Sequence, residues 1–199
     1  MSNSLLNTAE NVMNILNSLP QVKCCKLYGS LANGTYDELS DIDIEIDVSG
    51  YDNGKFMMEL ENLLCSKLNI IFTDYAPSLV PDKYIVSLAI DEENPFLILD
   101  LCSTAEPHCT TVSKQQAISA NDFYTHTLKL WVANLKHHSR GQDCYYDIFR
   151  MASKLGISDI DIKSELALLE NVLLWIENNK TAKTEKYVQS CRECFEDLI

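Results

Sequence analysis

The chain is expected to fold as an α/β (α+β) protein, a mixed sheet flanked by helices, followed by a C-terminal α-helical bundle domain. Three observations lead there. From Asp41 to Val48 acidic or polar and apolar residues alternate without a break, the period of a strand with one buried face. Two apolar runs, 84–90 and 96–102, flank Asp91-Glu92-Glu93-Asn94-Pro95 and read as a hairpin. Beyond residue 120 the apolar period becomes that of helices. The expected organisation is therefore an α/β domain over 1–105, a polar link over 106–120 and a helical domain over 121–199.

Each element has its own signal. Val12, Ile15, Leu16 and Leu19 share a helical face after Asn7 and Glu10, a candidate capping pair, and Pro20 stops the run. Residues 22–28 read as a buried strand that enters the turn Gly29-Ser30. One short helical turn over 31–34 and the loop 35–40 then deliver the acidic strand. Phe56, Leu60, Leu63, Leu64 and Lys67 mark an amphipathic helix, and 68–75 reads as a strand. In the second half, Tyr124, Leu128, Trp131 and Leu135 form one stripe. Tyr145, Ile148, Phe149, Ala152 and Leu155 form another, before the stop at Gly156. Ile162, Leu166, Leu169, Leu173 and Ile176 form a third, on a helix buried on two sides, and Tyr187, Cys191, Cys194 and Leu198 a fourth.

The chemistry concentrates on the acidic strand. Asp41 and Asp43 face the same way, about 6.5 Å apart, and at an effective dielectric near 20 they repel by roughly 2–3 kcal/mol. A cation between them relieves this, and ligands made only of oxygen favour Mg²⁺, which completes its shell with substrate phosphates. Glu45 and Asp47 lie further along the same face, too far to share that cation, and are assigned to solvent or a cationic substrate. Asp100 sits inside Phe96-Leu97-Ile98-Leu99-Asp100-Leu101-Cys102. Ionising it among apolar neighbours costs several kcal/mol unless it is paired or metal-bound.

Gly29-Ser30, a spacer, Asp41-Ile42-Asp43 and then Asp100 resemble the signature of the DNA polymerase β-type nucleotidyltransferase superfamily. The minimal and the aminoglycoside- or lincosamide-modifying branches are the most similar. The resemblance implies a nucleotidyltransferase catalytic domain in which Asp41, Asp43 and Asp100 are catalytic and hold two Mg²⁺ ions. It places Gly29 and Ser30 under the phosphates of an NTP, with ATP the first expectation. The implied reaction moves an NMP, AMP first, to a hydroxyl of a small cationic acceptor such as an aminoglycoside-type antibiotic, releasing pyrophosphate. An antitoxin-like member that modifies a protein or RNA, and a non-catalytic module of the same fold, are the alternatives. Relatives with a Gly-Ser-x-Ala-Arg-Gly turn carry Arg where this chain has Asn33. Lys129, Lys136 and Arg140, seven and four residues apart, share a helical side and are candidates to bind the nucleotide in its place; a solvated basic face is the competing reading.

Composition narrows the partners. The net charge is −13, with 29 acidic against 16 basic residues, which argues against a generic nucleic-acid binder and suits a cationic acceptor. No stretch is long and apolar enough for a membrane, and the N-terminus lacks the pattern of a signal peptide. Eight cysteines are read as reduced thiols in a cytoplasmic protein, and an oligomer is allowed. Cys191-x-x-Cys194 lacks a second ligand pair for zinc and reads as core. His137-His138 is read as surface, and His108 and His126 have no recognisable partners.

Overall fold

A computed structural model describes residues 2–76, 78–157 and 164–198 of the chain. The chain divides into two compact units, Met1–Asp91 with Phe96–Asn121, and Glu92–Pro95 with Asp122–Ile199.

The first unit is built on strands β1 (Cys24–Leu27), β2 (Ile42–Asp47), β3 (Phe72–Ala76), β4 (Tyr84–Ala89) and β5 (Ile98–Thr104). They form a five-stranded sheet in the order β1-β2-β5-β4-β3. β2 and β5 run parallel and the other neighbours antiparallel, so the sheet is mixed, as expected. Helices α1 (Ser2–Asn17), α2 (Gly29–Asn33), α3 (Asn53–Leu64) and α4 (Lys114–Ser119) accompany it. α1 starts well before Asn7, which places Asn7 and Glu10 inside the helix and not at its cap.

One face of the sheet carries the core. Ile42, Ile44 and Ile46 are fully buried, with Leu99, Leu101, Val86 and Leu88 beside them and Val12, Leu16, Phe56, Leu60 and Leu64 in the same cluster. Each such side chain contributes roughly 1.5–3 kcal/mol on burial. A one-residue slip of β2 would put Asp43 and Glu45 into that core, so the apolar face sets the register and thereby the direction of the acids.

The segment 106–120, expected as a link between domains, belongs to the first unit. Its polar groups are tied down locally: Thr111 donates from its amide (2.7 Å) and its hydroxyl (2.6 Å) to Asp52, and the Tyr84 hydroxyl donates to the Val112 carbonyl (2.6 Å). α4 opens on a capping box formed by Ser113 and Gln116. Asn121 then reads both backbone groups of Tyr75, accepting from its amide (2.7 Å) and donating to its carbonyl (2.9 Å). This polar stretch is a strap along the sheet unit.

The second unit contains α5 (Phe123–Ser139), α6 (Tyr145–Lys154), α7 (Glu165–Asn179) and α8 (Glu185–Glu196). Leu128, Trp131, Leu135, Ile148, Leu169, Val172, Leu173, Ile176, Tyr187, Cys191 and Phe195 are its fully buried side chains. The Trp131 indole N–H is satisfied by the Leu169 carbonyl at 2.8 Å. α6 ends where expected, before Gly156 at φ 73°. Of the third stripe, Ile162 lies outside the described residues. No helix among the described residues is long and apolar enough to cross a membrane.

α7 and α8 are clasped by Arg192, which donates from Nε and Nη2 to the two oxygens of Glu177, both at 2.8 Å. Those bonds hold the Glu177 carboxyl below its ordinary range. A carboxyl whose folded-state pKa is lowered adds stability that is present above its unfolded pKa and is lost as pH falls through the folded one. Glu177→Gln should therefore lower stability by about 1 kcal/mol at neutral pH. Denaturant titrations should show this gap between the two proteins close as the solution is acidified below the ordinary carboxylate range.

Candidate functional site

The face of the sheet opposite the core collects the polar side chains. Along β2, Asp43, Glu45 and Asp47 are half-buried and alternate with fully buried isoleucines; Asp41, just before the strand, continues the alternation. The parallel ladder pairs Asp43 with Asp100 of β5. Adjacent strands are about 4.8 Å apart, and residues in register point to the same side, so two carboxylates from segments far apart in sequence stand next to each other. The antiparallel ladders extend the row: Asp100 faces Ser87 of β4, and Ser87 faces Asp74 of β3. Ser87 donates its hydroxyl to Oδ1 of Asp100 at 2.5 Å. Ser87 and Asp74 are buried, at 1% and 0% exposure.

α2 closes one end of this row. Gly29 follows β1 with φ 67°, a left-handed conformation open mainly to glycine. A Cβ placed there would stand 2.1 Å from Oδ2 of Asp43 and 2.9 Å from its Cγ. The glycine backbone therefore seats directly against the carboxylate, and the Tyr28 amide donates to the Asp43 carbonyl at 3.1 Å. Burial first, and then the neighbouring Cys102, Asp43 and Asp100, push the Tyr28 phenol well above its ordinary range, so it keeps its proton at neutral pH.

The donor set suits a divalent cation. Asp41, Asp43 and Asp100 offer hard carboxylate oxygens, with Asp43 and Asp100 on facing ladder positions, and the absent side chain at Gly29 is what lets the Asp43 carboxylate lie against that turn. Charges this close repel by roughly 2–3 kcal/mol at an effective dielectric near 20, which a bound cation reverses.

Glu45 and Asp47, expected to face solvent or a cationic substrate, have partners within the chain. Glu45, assigned to a cationic substrate, is met by the protein's own cations: Lys26 at 2.7 Å, its ladder partner on β1, and Lys83 at 2.6 Å. Hydrogen bonds from Lys26 and Lys83 hold the Glu45 carboxyl below its ordinary range. Asp47 accepts from the Ser49 amide at 2.8 Å and serves a turn. Two lysines therefore occupy the Glu45 carboxylate, and Ser49 engages that of Asp47.

Lys129, Lys136 and Arg140 lie in the second unit and do not form one solvated basic stripe. Lys136 is 4% exposed, Lys129 half-buried, and Arg140, the C-cap of α5, exposed. Lys136 thus lies on a buried side of α5, four residues after the buried Val132.

Ser87 is the residue that sequence reasoning missed. A serine in the otherwise apolar stretch Ile85-Val86-Ser87-Leu88-Ala89 is its signal. A loop centred on Glu93 would set Val86 opposite Asp100, whereas the observed register sets Ser87 there.

Residues 10–87 match the family model described as "Polymerase beta, Nucleotidyltransferase". No curated protein matches the chain. Among solved structures, the GLD-2/RNP-8 complex aligns with 98% of this chain and 68% of its own, at 14% identity and a TM-score of 0.39. The polymerase core of TRAMP, an RNA surveillance complex, aligns with 98% of this chain at 12% identity and a TM-score of 0.37. This chain spans 56% of that second structure.

Proposed function

With residues 10–87 matching the family model of polymerase β-type nucleotidyltransferases, we propose that the chain transfers a nucleoside monophosphate from an Mg-NTP to an acceptor hydroxyl. The observation that supports this reading above others is the ladder pairing of Asp43 with Asp100 beside the Gly29 backbone. Asp41, Asp43 and Asp100 would hold the divalent ions, and Gly29 and Ser30 would seat the β and γ phosphates. When bound, the ions supply Lewis-acid polarisation of the phosphate oxygens and neutralise the charge that develops on them.

The remaining steps belong to the side chains. Ser87 engages Oδ1 of Asp100 and so orients the carboxylate, leaving Oδ2 to take the proton of the acceptor hydroxyl. The acceptor oxygen forms a bond to the α-phosphorus as the bond to the bridging oxygen breaks, and pyrophosphate leaves. ATP is the first candidate donor. A small cationic molecule of aminoglycoside type is the first candidate acceptor, supported by the net charge of −13. Glu45 is excluded from that role by Lys26 and Lys83, which leaves the wider acidic surface to attract the acceptor.

The test is pyrophosphate release from each NTP with Mg²⁺ against a panel of aminoglycosides and lincosamides, with labelled nucleotide traced to product. Label on a small molecule supports the acceptor as proposed, and label on a macromolecule redirects it to a protein or RNA. Absence of both pyrophosphate release and metal-dependent nucleotide binding by calorimetry would reject nucleotidyl transfer.

A further inference from the structure

A second cluster of metal-ligating side chains lies wholly within the helical unit and takes no part in the proposed reaction. His138, near the end of α5, Cys144, the N-cap of α6, and Glu165, the first residue of α7, bring their donor atoms within 4.8 Å of one another. His138, expected at the surface, is half-buried, and Cys144 is 2% exposed. We propose that His138, Cys144 and Glu165 form a zinc site that ties α5, α6 and α7 together.

The donors are a borderline nitrogen, a soft sulfur and a carboxylate oxygen, the set zinc takes, whereas Mg²⁺ takes oxygen alone. A tetrahedron with bonds of about 2.0–2.3 Å separates its donors by roughly 3.3–3.7 Å. Cys144 Sγ and Glu165 Oε2 already stand 3.6 Å apart. His138 Nδ1 and Glu165 Oε2 are in hydrogen-bond contact at 2.6 Å and need to open by under about 1 Å. The outer contacts needed to aim the ligands are present. The Cys144 amide donates to Glu165 Oε1 at 3.1 Å, which turns Oε2 toward the sulfur and the imidazole.

Binding is a proton exchange. The Cys144 thiol, 3.6 Å from both the Asn134 carbonyl and Glu165 Oε2, loses its proton to solvent, and the hydrogen that Nδ1 of His138 directs at Glu165 leaves that nitrogen, so that His138 binds through Nδ1 as the neutral imidazole protonated on Nε2. Thiolate, carboxylate and neutral imidazole then balance the dication, and a water completes the fourth position. Residues from the end of α5 and the starts of α6 and α7 become cross-linked. Metal should therefore raise the melting temperature, and affinity should rise with pH because a proton is released.

Co²⁺, titrated as a probe into the full chain in excess Mg²⁺, is expected to bind at one equivalent, with a thiolate-to-metal charge-transfer band. Cys144→Ser should abolish the band, and His138→Gln and Glu165→Gln should each weaken Co²⁺ at least about tenfold. X-ray absorption of the zinc-loaded wild-type chain needs no variant and should show one sulfur with nitrogen or oxygen neighbours. A first shell with no sulfur or with two or more, no charge-transfer band in the wild type, a band that survives Cys144→Ser, or unchanged affinity in the folded Glu165→Gln protein would overturn the site.

Discussion

Asp43→Asn is expected to lower nucleotidyl transfer on the order of a thousandfold, equivalent to about 4 kcal/mol of transition-state stabilisation. The loss follows from where Asp43 stands. It shares its ladder position with Asp100 and its carboxylate touches the Gly29 backbone, so one charge serves both the proposed ion and the phosphate turn. Stability should move the other way. Removing one of two facing charges relieves roughly 2–3 kcal/mol of repulsion at an effective dielectric near 20, so without metal the variant should melt at the same temperature or higher. Pyrophosphate release and calorimetric melting on the same preparation check both halves. Full activity, or lost activity with a lowered melting temperature, would remove Asp43 from the proposed machinery.

Gly29→Ala should be nearly as damaging, by a different route. The added methyl would fall 2.1 Å from Oδ2 of Asp43, so the carboxylate must swing aside or α2 must shift. A displacement of about 1 Å at a reacting centre can cost roughly a hundredfold in rate. The left-handed backbone at φ 67° adds strain of about 1–2 kcal/mol. Gly34→Ala separates the two effects: Gly34 has nearly the same φ, 69°, but its Cβ would meet nothing within 4 Å. Both variants should lose stability in denaturant titrations, Gly29→Ala the more because of its contact with Asp43, while only Gly29→Ala should lose about two orders of magnitude in turnover. Equal activity losses would show that backbone strain at α2, and not displacement of Asp43, is what matters.

The parts of the fold legible in the chain were those written in one short period. Ile42, Ile44 and Ile46 alternate with acids, so the strand and the common direction of Asp43, Glu45 and Asp47 needed no tertiary knowledge. The apolar runs around residues 86 and 99 showed a hairpin, and the helical stripes of Leu128, Trp131 and Leu135 became core. The polar character of 106–120 suggests a link between domains but does not show what its groups bind: Asp52 and Tyr84 meet Thr111 and Val112. Lys136 was misread because a spacing of seven and four describes a helical side but not what that side packs against.

Composition and periodicity alone determined which residues carry charge and which way each strand turns them, because alternation is a property of a single segment. Pairing belongs to the tertiary structure. It placed Asp100 against Asp43, Ser87 against Asp100 and two lysines on Glu45, and it gathered His138, Cys144 and Glu165 from three helices. The reason is physical: a ladder register or a helix contact is set by burying apolar faces that lie far apart in the chain, and the polar neighbours follow from that burial.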